Sequence, residues 1–369
     1  MVKFIALSGF LGAGKTTTMI AAAEQLRAAG RRVVVIANDQ GLNLVDTAMA
    51  GRNISGAGEV TTGCFCCRFD DLVSVARRLV DQEGADTVIA ESVGSCTDLT
   101  ATVVRPLRQF YGDEFQLAPL TTLVDPVRYA RFEAGWVRGE PDTDLAYLYR
   151  KQLQDGDIIA VNKLDLLDPS ARNRVVEDIQ RRFPHVRVVT CAAARGELQE
   201  LRRAWDSDYT EHGRDLDIDY IRYGVAEARL AWLNRTYDLA GRDRGFTAAR
   251  WVDALLGHIA ATCQRNGYVI GHVKVMVTNP AGAVVKASVV DEAEKVTFDE
   301  RADVGVDGLR ATLNARVLCE PPDLDLAVDG AVVAADAESG SRTVAEDTLS
   351  FKPGQPKPTH RLRSPEPIH

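Results

Sequence analysis

Gly9-Phe10-Leu11-Gly12-Ala13-Gly14-Lys15-Thr16 satisfies G-x-x-x-x-G-K-[ST] at every fixed position, between an apolar run, Lys3–Ser8, and a helical pattern, Lys15–Ala29. That context is what the pattern needs. Glycines let successive main-chain N–H groups turn inward, and a helix N-terminus adds positive potential, so the loop is built for phosphate. Gly9, Gly12, Ala13 and Gly14 are expected to supply the cradle, with Thr17 in the first helical turn. Lys15 is expected to reach the β- and γ-phosphates, and the Thr16 hydroxyl to ligate Mg²⁺. A nucleoside triphosphate is the predicted ligand.

Outward from this loop, Arg32–Asn38, Thr87–Glu91, Leu120–Asp125, Asp157–Asn162 and Val186–Thr190 read as further strands, rich in Val and Ile. Helical patterns at Asp70–Glu83, Thr143–Leu153, Ser170–Phe183 and Glu197–Trp205 alternate with them. Such alternation predicts an α/β fold, a P-loop NTPase with a doubly wound, mostly parallel sheet and ligands beyond the carboxyl ends of its strands. The expected domain spans residues 1–207. An acidic connector (Asp206, Asp208, Asp215, Asp217, Asp219) leads to a smaller α+β domain at 220–320. There Val225–Tyr237, Tyr268–Thr278, Ala283–Val290 and Leu309–Leu318 read as strands and Thr247–Cys263 as a helix. Residues 321–369 open with Glu320-Pro321-Pro322 behind them, and five of the 14 prolines lie between Pro353 and Pro367, so a flexible or extended tail is expected.

Asn162-Lys163-Leu164-Asp165 closes a predicted strand roughly 150 residues after the phosphate loop. The Asp165 carboxylate suits guanine, whose N1–H and N2 amine offer it two parallel donors. Adenine presents an acceptor at that edge and would leave the carboxylate unpaired. Asn162 is suited to tying the loop to the base or to the phosphate loop, and the Lys163 stem to covering the ring. GTP is therefore expected over ATP. Glu91-Ser92-Val93-Gly94 ends another strand, where Glu91 would hold the Mg²⁺ shell and the Gly94 amide would sense the γ-phosphate. Asp39 stands at the end of the second strand as a further acidic group near the metal. Asp46 lies in the following loop, and Gln40 is the candidate activator of the attacking water.

Three of the seven cysteines fall within Cys64-Phe65-Cys66-Cys67. Cys64, Cys66 and Cys67 form a soft donor set suited to Zn²⁺ or Co²⁺. The segment lacks the paired C-x₂-C spacing of a closed structural zinc site, so three ligands with an open position suit an ion that arrives and leaves. Buried apolar thiols or a redox pair are the alternative readings of the same residues. Cys96, which closely follows the switch-like Gly94 and could reach the cluster from there, reads first as a buried thiol, and Cys191, Cys263 and Cys319 as core.

The phosphate loop, Glu91-Ser92-Val93-Gly94, Gly63-Cys64-Phe65-Cys66-Cys67, and Gln152-Leu153 leading into Asn162-Lys163-Leu164-Asp165 together resemble the CobW-like metallochaperones. These are SIMIBI-class GTPases, alongside the nickel-insertion GTPases of urease and hydrogenase. The resemblance covers roughly residues 1–205. It implies a low-turnover GTPase coupled to delivery of Zn²⁺, Co²⁺ or a related ion to a client metalloprotein, with Cys64, Cys66 and Cys67 as ligands. It also implies a nucleotide- or metal-dependent homodimer. The alternative class is a GTPase that remodels a metalloenzyme without carrying metal. His185, His212, His258, His272, His360 and His369 are scattered rather than gathered into a histidine-rich stretch, and each reads as surface or core.

The remaining inventory excludes rather than identifies. Over 369 residues, 44 basic and 52 acidic side chains give a net charge of −8, which argues against a nucleic-acid binder. No apolar stretch approaches membrane-spanning length, and the opening residues do not read as a signal peptide. A cytoplasmic protein with reduced thiols is expected.

Overall fold

The computed structural model describes residues 1–38, 45, 56–61, 63–139, 143–207, 215–242, 246–282, 284–291, 295–302 and 308–364. Two compact units divide them. The first contains the described residues within Met1–Gln40, Met49–Tyr223 and Gln355–His369, and the second contains Val45 and those within Gly224–Gly354.

In the first unit, among the described residues, eight strands form one parallel sheet: β1 (Val2–Gly9), β2 (Val33–Asn38), β3 (Ala57–Val60), β4 (Thr87–Glu91), β5 (Phe115–Leu117), β6 (Thr121–Val124), β7 (Ile158–Val161) and β8 (Arg187–Thr190). Their order is β3-β2-β4-β1-β6-β7-β8, with β5 also pairing with β1. The central strands are continuous apolar runs because both faces are covered; every residue of β2 and β4 is buried. Ile5, Leu7, Val35, Ile89, Leu123 and Ala160 pack with Met19, Ala22 and Ala23 of the helix Lys15–Ala28. After β1 the chain crosses to β2 on one side and later returns as β6 on the other. The carboxyl end of β1 is therefore the topological switch point, and the phosphate loop emerges there.

The second unit is an antiparallel sheet of β9 (Leu230–Gly241), β10 (Val269–Thr278), β11 (Val284–Val289), β12 (Thr297–Arg301), β13 (Leu309–Leu318) and β14 (Ser341–Phe351), ordered β12-β11-β10-β13-β9-β14. The helices Ala248–Asn266 and Pro321–Ser339 pack with its buried face, through Trp251, Leu255, Ile259, Leu324, Val328 and Ala335.

Three sequence expectations require correction. Val225–Tyr237 is not one strand: the helix Tyr220–Ala228 occupies its first part and β9 begins at Leu230. Residues 321–351 are not a flexible tail. Pro321 and Pro322 open a 19-residue helix, where a missing N–H costs nothing, and β14 then pairs along β9. Residues 352–364 carry no regular structure but are hydrogen-bonded to the first unit from Lys357 to Ser364.

Candidate nucleotide and thiol site

The phosphate loop takes its shape from positive-φ glycines: Gly9 (φ 134°), Gly12 (78°) and Gly14 (89°). At two of them no side chain fits. A Cβ on Gly9 would stand 2.4 Å from the Leu123 carbonyl oxygen, and one on Gly14 would stand 2.4 Å from Asn162 Nδ2. Gly14 caps the helix Lys15–Ala28 with no side-chain hydrogen bond to its first amides, leaving them directed at the loop. Lys15 Nζ donates to the carbonyls of Gly9 (2.7 Å) and Phe10 (3.3 Å), so the ammonium lies within the loop. Thr17, in the first turn, is half-buried.

Thr16 and Glu91 come together as the sequence requires. The Thr16 hydroxyl lies 2.9 Å from both Glu91 carboxylate oxygens, and both residues are buried. Hydroxyl and carboxylate oxygens beside a phosphate loop are hard donors of the kind Mg²⁺ takes, so this pair fits that ion. Gly94 follows. Its carbonyl and that of Cys96 both accept from Gln152 Nε2 (2.9 and 2.8 Å), which anchors this turn to the helix Asp144–Asp155.

Of the two roles open to Asn162, the structure displays the phosphate-loop tie. Asn162 Nδ2 donates to Ala13 O (3.0 Å) and its Oδ1 accepts from the Ala193 amide (3.0 Å). Lys163 adopts a left-handed conformation (φ 56°) and pairs with Asp125 at 2.7 Å. Asp165 is paired with Arg195 (3.3 Å). Sequence reasoning missed Asp125 and the Cys191-Ala192-Ala193 turn. Their signal was positional: each follows a strand end neighbouring β7 at the level of Asn162.

The three cysteines converge. Sγ–Sγ separations are 2.8 Å for Cys64–Cys66, 3.3 Å for Cys64–Cys67 and 3.7 Å for Cys66–Cys67. Tetrahedral zinc with Zn–S of about 2.3 Å sets sulfurs about 3.8 Å apart, so an opening of an ångström or less at the closer pairs would fit the ion. Hydrogen bonds from Cys66 and Cys67 push the Cys64 thiol well below its ordinary range. The same bonds push Cys66 up and Cys67 up to about 11. Cys96 is fully buried and its thiol hydrogen-bonds to Cys64 and Cys66. Cys191 is buried, pushed up to about 12 by desolvation, and Cys263 lies in the second unit's core.

Asn38, at the end of β2, fastens the cysteine loop. Its Nδ2 donates to Val60 O and Gly63 O (both 2.8 Å), and its Oδ1 accepts from the Phe65 amide (2.9 Å). Asp39, Gln40, Asp46, Thr62, His212 and His369 lie outside the described residues.

Residues 3–190 match the family model described as CobW/HypB/UreG, nucleotide-binding domain. The chain belongs to this family. Among CobW relatives, it is 30% identical over 205 residues to the zinc chaperone CobW of Sinorhizobium sp, covering 48% of this chain and 54% of that one. It is 31% identical over 220 residues to the zinc chaperone CobW of Pseudomonas aeruginosa, covering 52% and 56%. The chain thus spans just over half the length of these relatives. Solved structures similar to it include the Zn(II)-bound YjiA GTPase from E. coli (12% identity, 89% of this chain and 98% of that chain, TM-score 0.37). HypB from Helicobacter pylori in complex with nickel is another (16%, 57% and 91%, TM-score 0.39). Among the described residues no helix is long and apolar enough to cross a membrane.

Proposed function

We propose that this CobW-family chain is a GTP-hydrolysing metallochaperone that holds a divalent ion of the zinc or cobalt class on Cys64, Cys66 and Cys67 and passes it to a client metalloprotein. One observation carries the reading. Asn38 ends a strand of the sheet that bears the phosphate loop, and its side chain clamps the cysteine loop on both sides. A shift at that strand end would reach the thiolates through three hydrogen bonds.

In the proposed cycle Lys15 exchanges the carbonyls of Gly9 and Phe10 for β- and γ-phosphate oxygens, and the amides at the start of the helix receive the remaining charge. Thr16 and Glu91 hold Mg²⁺, which when bound neutralises charge on the phosphates. Gly94 reads the γ-phosphate, and Gln152 resists its displacement. Asp165 selects guanine and Asn162 holds the phosphate loop. Asp39 adds a carboxylate beside the metal. Water attacks the γ-phosphorus, the bond to the β-phosphate oxygen breaks, and GDP and phosphate leave. The proposed setting is the cytoplasm, and the proposed assembly a nucleotide- or metal-dependent homodimer.

Metal analysis of protein equilibrated with Zn²⁺ or Co²⁺, with GTP analogue and Mg²⁺ present, tests the reading. One equivalent is expected in the wild type and none after Cys64, Cys66 and Cys67 are replaced by Ser. Retention of the ion by the triple variant would overturn it.

A further inference from the structure

Pro356-Lys357-Pro358 is a stretch in which neither proline has an N–H, and each proline favours extended backbone in the residue before it. Lys357 is thus the single amide donor of this tripeptide, and it donates to Cys67 Sγ at 3.2 Å. The next residues continue along the cysteine loop. The Thr359 amide donates to Cys66 O (2.8 Å) and its hydroxyl to Cys67 O (3.3 Å). The His360 ring stands 5.1 Å from both Phe69 and Phe110.

The same segment then attaches to the turn beyond Gly94. Arg361 Nε donates to Asp98 Oδ2 (2.7 Å), and the Leu362 amide donates to Ala101 O (2.9 Å). Asp98 is fully buried and sits at φ 60°, a conformation that strains a residue with a Cβ; Tyr220 OH also donates to its Oδ2 (2.7 Å). The Leu362 carbonyl accepts from the buried Arg105 (2.8 Å). One irregular segment is therefore bonded both to the thiol loop and to the segment downstream of the γ-phosphate sensor.

From these contacts we infer that residues 357–364 are a strap that closes the cysteine site and must lift before an ion can leave it. The inference rests on the metallochaperone reading for the identity of the cargo. Cys64 and Cys66 are 3% and 1% exposed, so no acceptor reaches their sulfurs without a local opening. The strap carries no helix or strand and is held by isolated hydrogen bonds and the Arg361–Asp98 ion pair, and such segments open at lower cost than packed elements. Its two attachments give the gate its logic. Displacement of the helix start at Asp98–Ala101 would free the Arg361 end, and the Lys357 end would follow. The docked strap then also acts as an outer-shell partner, its Lys357 amide donating to the Cys67 sulfur.

Two variants of the full chain test this. Arg361→Ala removes the ion pair, and Thr359→Pro removes both the amide and the hydroxyl donor of an exposed residue while leaving every buried side chain intact. Zn²⁺-loaded protein is mixed with excess chromogenic chelator, and the release rate is followed. In parallel, iodoacetamide labelling of Cys66 in metal-free protein is timed by peptide mass spectrometry. Both variants are expected to release Zn²⁺ at least about 10-fold faster with unchanged stoichiometry, and to label Cys66 correspondingly faster. Unchanged labelling and release in Thr359→Pro would overturn the strap. A wild type that binds no Zn²⁺ on these thiols would overturn the metallochaperone reading instead, while the labelling rates would still decide the strap.

Discussion

Asn38 and Asn162 do comparable work at the ends of two strands, β2 and β7, that three others separate. Each ends a strand, each is buried, and each uses its amide to hold a loop that has no regular hydrogen-bond ladder of its own. Removing such a side chain leaves buried main-chain donors and acceptors unpaired, at a cost of about 1–3 kcal/mol each. Asn162→Ala is therefore expected to weaken GTP-analogue binding by about 10- to 100-fold in isothermal titration, with the fold retained. Asn38→Ala should leave nucleotide affinity nearly intact and weaken Zn²⁺ binding by a similar factor. Asp165→Asn replaces one carboxylate oxygen by an amide donor, so xanthine nucleotide should displace guanine nucleotide as the preferred ligand in a competition assay. At this scale the sequence was legible where chemistry dictates residue type, as at Lys15, Thr16, Glu91 and the three cysteines. It was silent where the function is a main-chain contact. Gln152 acts on the Gly94 and Cys96 carbonyls, Asp125 on Lys163 and the Ala193 amide on Asn162, across gaps of dozens of residues, and no local pattern marks such pairings.

Helix and strand boundaries show the same division. The strands β1, β2, β4, β6 and β7 were readable as largely buried runs rich in Val, Ile, Leu and Ala, and β8 through Val188-Val189, although its Arg187 is exposed. β3 (Ala57-Gly58-Glu59-Val60) and β5 (Phe115-Gln116-Leu117) were not, being only four and three residues long; what defines them is the strand they pair with. β14 is largely exposed and polar, and it too is a strand by virtue of its partner β9. The helix Asp144–Asp155 carries a further consequence. Its last residue, Asp155, is buried, accepts hydrogen bonds from the Leu99 and Thr100 amides, and lies near Asp98. Burial first, and the Asp98 charge second, push its carboxyl up to about 7. The folded protein therefore binds this proton more tightly than the unfolded chain does. The group's contribution to stability is greatest at acid pH and falls as pH rises from about 4 to about 7, above which the whole penalty is present. Asp155→Asn is expected to flatten that part of the urea-stability profile between pH 5 and 8 without abolishing folding. A profile that keeps its slope would show that Asp155 titrates normally.

On the scale of the whole chain, every residue given a nucleotide or metal role among those described belongs to the first compact unit, and so does the strap over the cysteines. The phosphate loop, the Glu91–Gly94 turn and the thiol loop leave the same end of one parallel sheet, and Asn38 and Gln152 connect them to its strands and helices. A metallochaperone cycle of the kind proposed requires nucleotide state and metal affinity to be coupled. Its most direct test is a Zn²⁺ chelator competition on the full chain with Mg²⁺ and either a non-hydrolysable GTP analogue or GDP, with Cys66→Ser/Cys67→Ser as the control. The account predicts Zn²⁺ dissociation constants that differ by at least about 10-fold, or ~1.4 kcal/mol, between the two nucleotides. Equal dissociation constants in the wild type would contradict it.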